Sequence, residues 1–144
     1  MAIDRDTLLR ISVSIHFVCI SMVLMAEWLP KSYLFNQITI LALGLWAIVH
    51  RESVIQVELL ILIKFFSIIL DSIAIGMYFQ IGNQSHSAGF HHAYFVISAF
   101  FAIGYLILKP VMILLLNKVR EDRLNNAAFG MWTPASGYTP VDGH

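Results

Sequence analysis

Residues 57–81 read VELLILIKFFSIILDSIAIGMYFQI, twenty-five positions with charges only at Glu58, Lys64 and Asp71. As an α-helix this segment is about 37 Å long, more than the ~30 Å needed to cross a bilayer core. A β reading fails because apolar and polar residues do not alternate, and a membrane barrel needs many alternating segments of about ten residues. Irregular backbone cannot face lipid, so a helix is the remaining solution. Lys64 and Asp71 are seven residues apart, two helical turns, and so share one face with Ser67, Ala74 and Tyr78.

Three further stretches qualify: residues 8–26, 33–49 and 93–116. The predicted fold class is all-α, a polytopic four-helix transmembrane bundle at residues 1–124 followed by a flexible cytosolic tail at 125–144. The composition agrees. Of 144 residues, 58% are apolar and 12% charged, whereas a soluble domain averages about 25% charged. The mean hydropathy is +0.75. A soluble core of this size cannot hide so much apolar surface. An ordinary soluble enzyme, a disordered chain and a disulfide scaffold are all excluded by these numbers.

Nine basic and nine acidic residues cancel, which leaves no electrostatic footprint for nucleic acid. The single cysteine, Cys19, lies in an apolar run and reads as inert. The neutrality conceals a sidedness. With four spans, Arg5, Arg10, Arg51, Lys118, Arg120 and Arg123 fall on one side and Lys31 alone on the other. Basic flanks stay in the cytoplasm, so both termini are predicted there. A three-span alternative would strand Arg5 and Arg10 on the opposite side. The first run is too long for a signal-peptide core and lacks a small-residue cleavage site, so it is read as an uncleaved helix.

Ionisable residues inside spans face a bundle interior, a partner or a wet cavity. The candidates for intramembrane polar contacts are His16, Lys64, Asp71 and Lys109. Helix 4 carries a matching stripe of Tyr94, Ser98, Ala102, Tyr105 and Lys109. Helix 2 offers Asn36, Thr39 and His50. Ser72-xxx-Gly76 and Ser98-xxx-Ala102 are spaced for close helix approach. Lys109 lies near the inner end of its span, where it can snorkel to headgroups, and Pro110 should loosen the helix. Glu58 is placed near the inner surface, in water.

The loop histidines His86, His91 and His92 match no metal-ligand spacing and read as solvated. Asn83-Gln84-Ser85 fits a glycosylation sequon, set too close to the membrane for modification to be expected. No nucleophile–base pair or phosphate-binding glycine loop is visible, and no cofactor or metal is implied. In the tail, Tyr138-Thr139-Pro140-Val141 fits a Tyr-x-x-apolar sorting signal, with Tyr138 and Val141 as the two anchoring side chains. Thr133-Pro134 and Thr139-Pro140 fit proline-directed phosphorylation.

NQITILALGLWAI at residues 36–48, followed by Arg51-Glu52-Ser53, resembles the second-span signature of the type-1 angiotensin II receptor-associated protein family. Leu70-Asp71, Tyr78-Phe79 and Leu108-Lys109-Pro110 continue the resemblance in order, and Gly137-Tyr138-Thr139-Pro140-Val141-Asp142 is similar to a stretch of the vertebrate tail. The resemblance implies a non-enzymatic adaptor in endoplasmic reticulum, Golgi and vesicle membranes. It implies binding to the cytoplasmic tail of the type-1 angiotensin receptor, promotion of its internalisation and damping of its signalling. It places the receptor-binding part at about residues 118–144, where this chain is shorter and differently composed. The family is commonly described with three spans, where the charge pattern here gives four. Sorting adaptors, another membrane protein and a second copy of the chain are further candidate partners. The competing class is an ion- or proton-conducting element or a subunit of a transport complex.

Overall fold

A computed structural model describes residues 4–132. Four helices follow one another, α1 (Arg5–Val23), α2 (Lys31–Val49), α3 (Ile55–Ser85) and α4 (Phe90–Trp132). Each is long and apolar enough to cross a membrane, and no strand occurs among the described residues. Sequence neighbours are antiparallel, as short connections demand. The helices form a closed ring in which α4 returns to pack on α1, while the backbones of the diagonal pairs stay apart.

Local chemistry sets the ends. Asp6 sits in the first turn of α1, where a carboxylate meets the positive end of the helix dipole. Pro30, with φ −67° and ψ 156°, precedes the first residue of α2. Gly89, at φ +68°, makes the left-handed turn into α4, a conformation that other residues adopt at a cost. The apolar runs understate two helices. α3 continues to Ser85 and α4 begins at Phe90, so the expected loop at 82–92 shrinks to 86–89. Hydropathy marks where a helix touches lipid, not where its hydrogen bonds stop. For the same reason α4 runs on through Trp132, past residue 125 where a flexible tail is expected. Pro110 lies within α4 without ending it.

The bundle is polar at its centre and apolar outside. Phe35, Phe100 and Ile107 are more than two-thirds exposed, whereas Gln37, Ser67 and Lys109 are 0% exposed. In lipid this inversion is the stable arrangement, because the outside solvent is hydrocarbon. Two apolar clusters bracket the polar centre. One surrounds Val23, Trp28, Tyr33 and Phe95, and the other Leu9, Ile40, Leu60 and Leu116. Two glycines permit close approach. A Cβ on Gly44 would lie 2.7 Å from Val13 of α1, and one on Gly82 would lie 2.7 Å from Phe95 and 2.9 Å from Trp28. Ser98 and Ala102 are buried in the bundle. By contrast, Ser72 and Gly76 face outward, with nothing near the position of a Gly76 Cβ.

Candidate functional site

The centre of the bundle holds a polar network fed by all four helices. Asp71 of α3 is its hub. Lys109 of α4 donates to Asp71 Oδ2 as a salt bridge, and the two side chains are 0% and 3% exposed. Gln37 of α2 donates through Nε2 to both carboxylate oxygens, at 2.9 and 2.8 Å. Asn36 Nδ2 donates to Asp71 Oδ1 at 3.2 Å and to Ser67 Oγ at 2.8 Å. The Lys109 ammonium spends its three hydrogens on Asp71, Ser67 Oγ (2.5 Å) and Gln37 Oε1 (3.5 Å). Ser67 donates to Asp71 and accepts from Lys109 and Asn36. Carboxylate, ammonium and hydroxyl are thus saturated, the condition under which a buried ion pair survives in a low-dielectric medium.

His16 of α1 joins this network from the other side. Its Nε2 lies 3.1 Å from the Gln37 carbonyl, and its Nδ1 meets the Tyr105 hydroxyl. A carbonyl only accepts, so Nε2 carries a hydrogen and Nδ1 is free to accept from Tyr105. The Tyr105 ring in turn lies 5.3 Å from Lys109 Nζ. Lys64 is set apart. It is 2% exposed, its one polar partner among the described residues is Ser12 Oγ at 3.5 Å, and a void of about 10 Å³ lies beside it.

Four expectations change here, those for Lys109, Tyr94, Thr39 and His50. Lys109 does not snorkel to headgroups, because its depth is set by the register of α4 against Asp71 and not by distance from the end of an apolar run. Tyr94, counted in the helix 4 stripe, is 45% exposed. Glu58 keeps an exposed position and pairs there with Arg120 at 2.8 Å. Thr39 turns its hydroxyl back onto the Phe35 carbonyl, and His50 gives only its backbone carbonyl, to Arg123. Tyr138 and Val141 lie outside the described residues, as do both Thr-Pro pairs.

Two sites were not singled out from sequence. Trp28, in the α1–α2 connection, tucks between α3 and α4. Its Nε1–H donates to Ser98 Oγ at 2.9 Å, Ser98 donates to the Val23 carbonyl, and the ring packs edge-on against Phe95 and Phe79. At the opposite end, Arg123 reaches back over the end of α2. Its guanidinium donates to the carbonyls of Ala47, His50 and Ser53 at 3.0 to 3.2 Å, beside Asp6 at 3.8 Å. The Ala47 and His50 carbonyls are among the acceptors a helix C-terminus leaves open, and Ser53 lies in the connection that follows. Arg5–Asp122 and Arg51–Asp6 pairs close the same end.

The family described as Angiotensin II, type I receptor-associated protein matches residues 7–138. The chain is also similar to a Xenopus tropicalis protein named type-1 angiotensin II receptor-associated protein-like. The two are 29% identical over 115 residues, covering 80% of this chain and 71% of that one. No solved structure matches.

Proposed function

The chain belongs to the angiotensin II type I receptor-associated protein family, and from that premise we propose that it is a non-enzymatic membrane adaptor that regulates the trafficking, internalisation or desensitisation of a receptor. The observation that carries the reading is the extent of the family match, which takes in all four helices and reaches into the tail. By family, the receptor is the type I angiotensin II receptor.

In this reading the bundle at residues 1–124 is the anchor and residues 125–144 engage the receptor tail and sorting adaptors, with Tyr138 and Val141 as the sorting anchors. The positive-inside bias supports cytosolic termini, and family likeness supports residence in endoplasmic reticulum, Golgi and vesicle membranes. His16, Lys64, Asp71 and Lys109 serve to hold the helices together. The saturation of Asp71 and Lys109 by internal partners favours this role over ion or proton conduction, since a relay needs groups free to exchange protons with water.

The test is receptor uptake. In cells expressing the receptor, the full chain should lower surface receptor after agonist, and a chain lacking residues 125–144 should not. Equal surface levels with and without the full chain would overturn the proposal.

A further inference from the structure

A groove of about 270 Å³ opens sideways between α2 and α3 and leads to the polar network. Its floor is Asn36 and Asp71, and Ser32, Tyr33, Ala74 and Tyr78 line its walls. Three of these residues carry hydrogen-bonding groups with no partner among the described residues. Tyr33 is only 3% exposed, and its hydroxyl makes no hydrogen bond among the described residues, yet it is not sealed in the protein and opens to the groove. Asn36 uses its nitrogen on Ser67 and Asp71 and leaves its oxygen free. The Tyr78 hydroxyl is also unpaired. A tyrosine hydroxyl in a largely apolar wall ordinarily finds a partner, and leaving groups that open to hydrocarbon unmet is costly.

The chemistry of the complement follows from place and charge. Asn36 is five residues into α2, about 8 Å along the axis from its first residue, and Asp71 lies on the interior side of it. Acyl chains offer no hydrogen bonds. No basic side chain lines the groove, so a phosphate finds no counter-charge, and the neighbouring Asp71 carboxylate favours a donor. Ser32 and Ala74 are small enough to let another backbone come close. We infer that this groove docks a transmembrane helix of the receptor partner, one hydroxyl- or amide-bearing side chain of which bonds to Tyr33, Asn36 and Tyr78. The inference rests on the receptor-association reading and adds an intramembrane contact to it.

Two measurements decide it, both on the full chain co-expressed with the receptor of the preceding experiment and purified in mild detergent. The first compares the wild type with the Tyr33→Phe/Tyr78→Phe double variant, which removes two hydroxyls that bond nothing within the chain and should melt unchanged. Receptor recovery should fall about tenfold. The second places a benzophenone side chain at Ile73, a lipid-facing position at the groove (53% exposed), or at Val18 on α1 (56% exposed). Light should join Ile73 to the receptor and leave Val18 without that adduct. Undiminished recovery, or Ile73 adducts formed only with lipid or with a second copy of the chain, would overturn the groove inference while leaving the association itself intact. A wild-type chain that recovers no receptor would overturn both.

Discussion

The Lys109 ammonium contacts the Asp71 carboxylate at the centre of the bundle, with Lys109 fully buried and Asp71 3% exposed, at the floor of the groove between α2 and α3. The pair joins α4 to α3, and Gln37 ties it to α2. An ion pair isolated from water is a liability unless every remaining lone pair and hydrogen is met. Here they are met by Asn36, Gln37 and Ser67, so the pair fixes the relative heights of three helices.

Removing one partner strands the other. Asp71→Leu should destabilise the bundle by ~3–5 kcal/mol, because Lys109 loses its counter-charge in a low-dielectric site. Asp71→Leu combined with Lys109→Met should regain most of that loss. Thermal unfolding in detergent measures both, and an unchanged melting temperature for the single variant would show that the pair carries no structural weight.

The glycines of α3 divide sharply. Gly82→Ala drives a methyl into Phe95 and the Trp28 Cβ, and overpacking of this kind costs ~1–3 kcal/mol. Gly76→Ala meets open space and should fall within about 0.5 kcal/mol of wild type. Melting curves of the two variants should separate clearly.

Trp28 supplies both a hydrogen bond and a ring. Trp28→Phe should lose about 1 kcal/mol with the Ser98 bond, while Trp28→Ala should lose ~3–5 kcal/mol as the contacts with Phe79 and Phe95 go too. If the two variants melt together, the ring is not packed as described.

Arg123→Lys keeps a charge but loses the planar fork that reaches three carbonyls. A cost of ~2 kcal/mol or more is expected, with faster amide exchange across residues 47–53. Arg10→Lys, at an exposed position without an ion pair among the described residues, is the matched control and should change neither.

The helices and their number were legible because four apolar runs have one physical solution in lipid. The face shared by Lys64, Ser67 and Asp71 was legible because helical periodicity places them together. What one chain's pattern does not encode is the height of one helix against another. Lys109 therefore read as a headgroup-seeking lysine, although it lies level with Asp71. Gln37 was passed over beside Asn36. Its signal was its spacing, since it falls on the face of Tyr33, Ile40 and Gly44. Trp28 read as loop because nothing local says that a connection folds back between two helices. Arg123 was counted for its sign, while its work over the end of α2 depends on contacts seventy or more residues away in sequence.

The most direct test of receptor association uses intact cells. Resonance energy transfer is measured from a donor on the N-terminus of the chain to an acceptor on the type I angiotensin II receptor, as the acceptor-to-donor ratio is raised. Association predicts a signal that saturates and is displaced by untagged chain. A signal that rises linearly, matching that of an unrelated four-span protein, would contradict it.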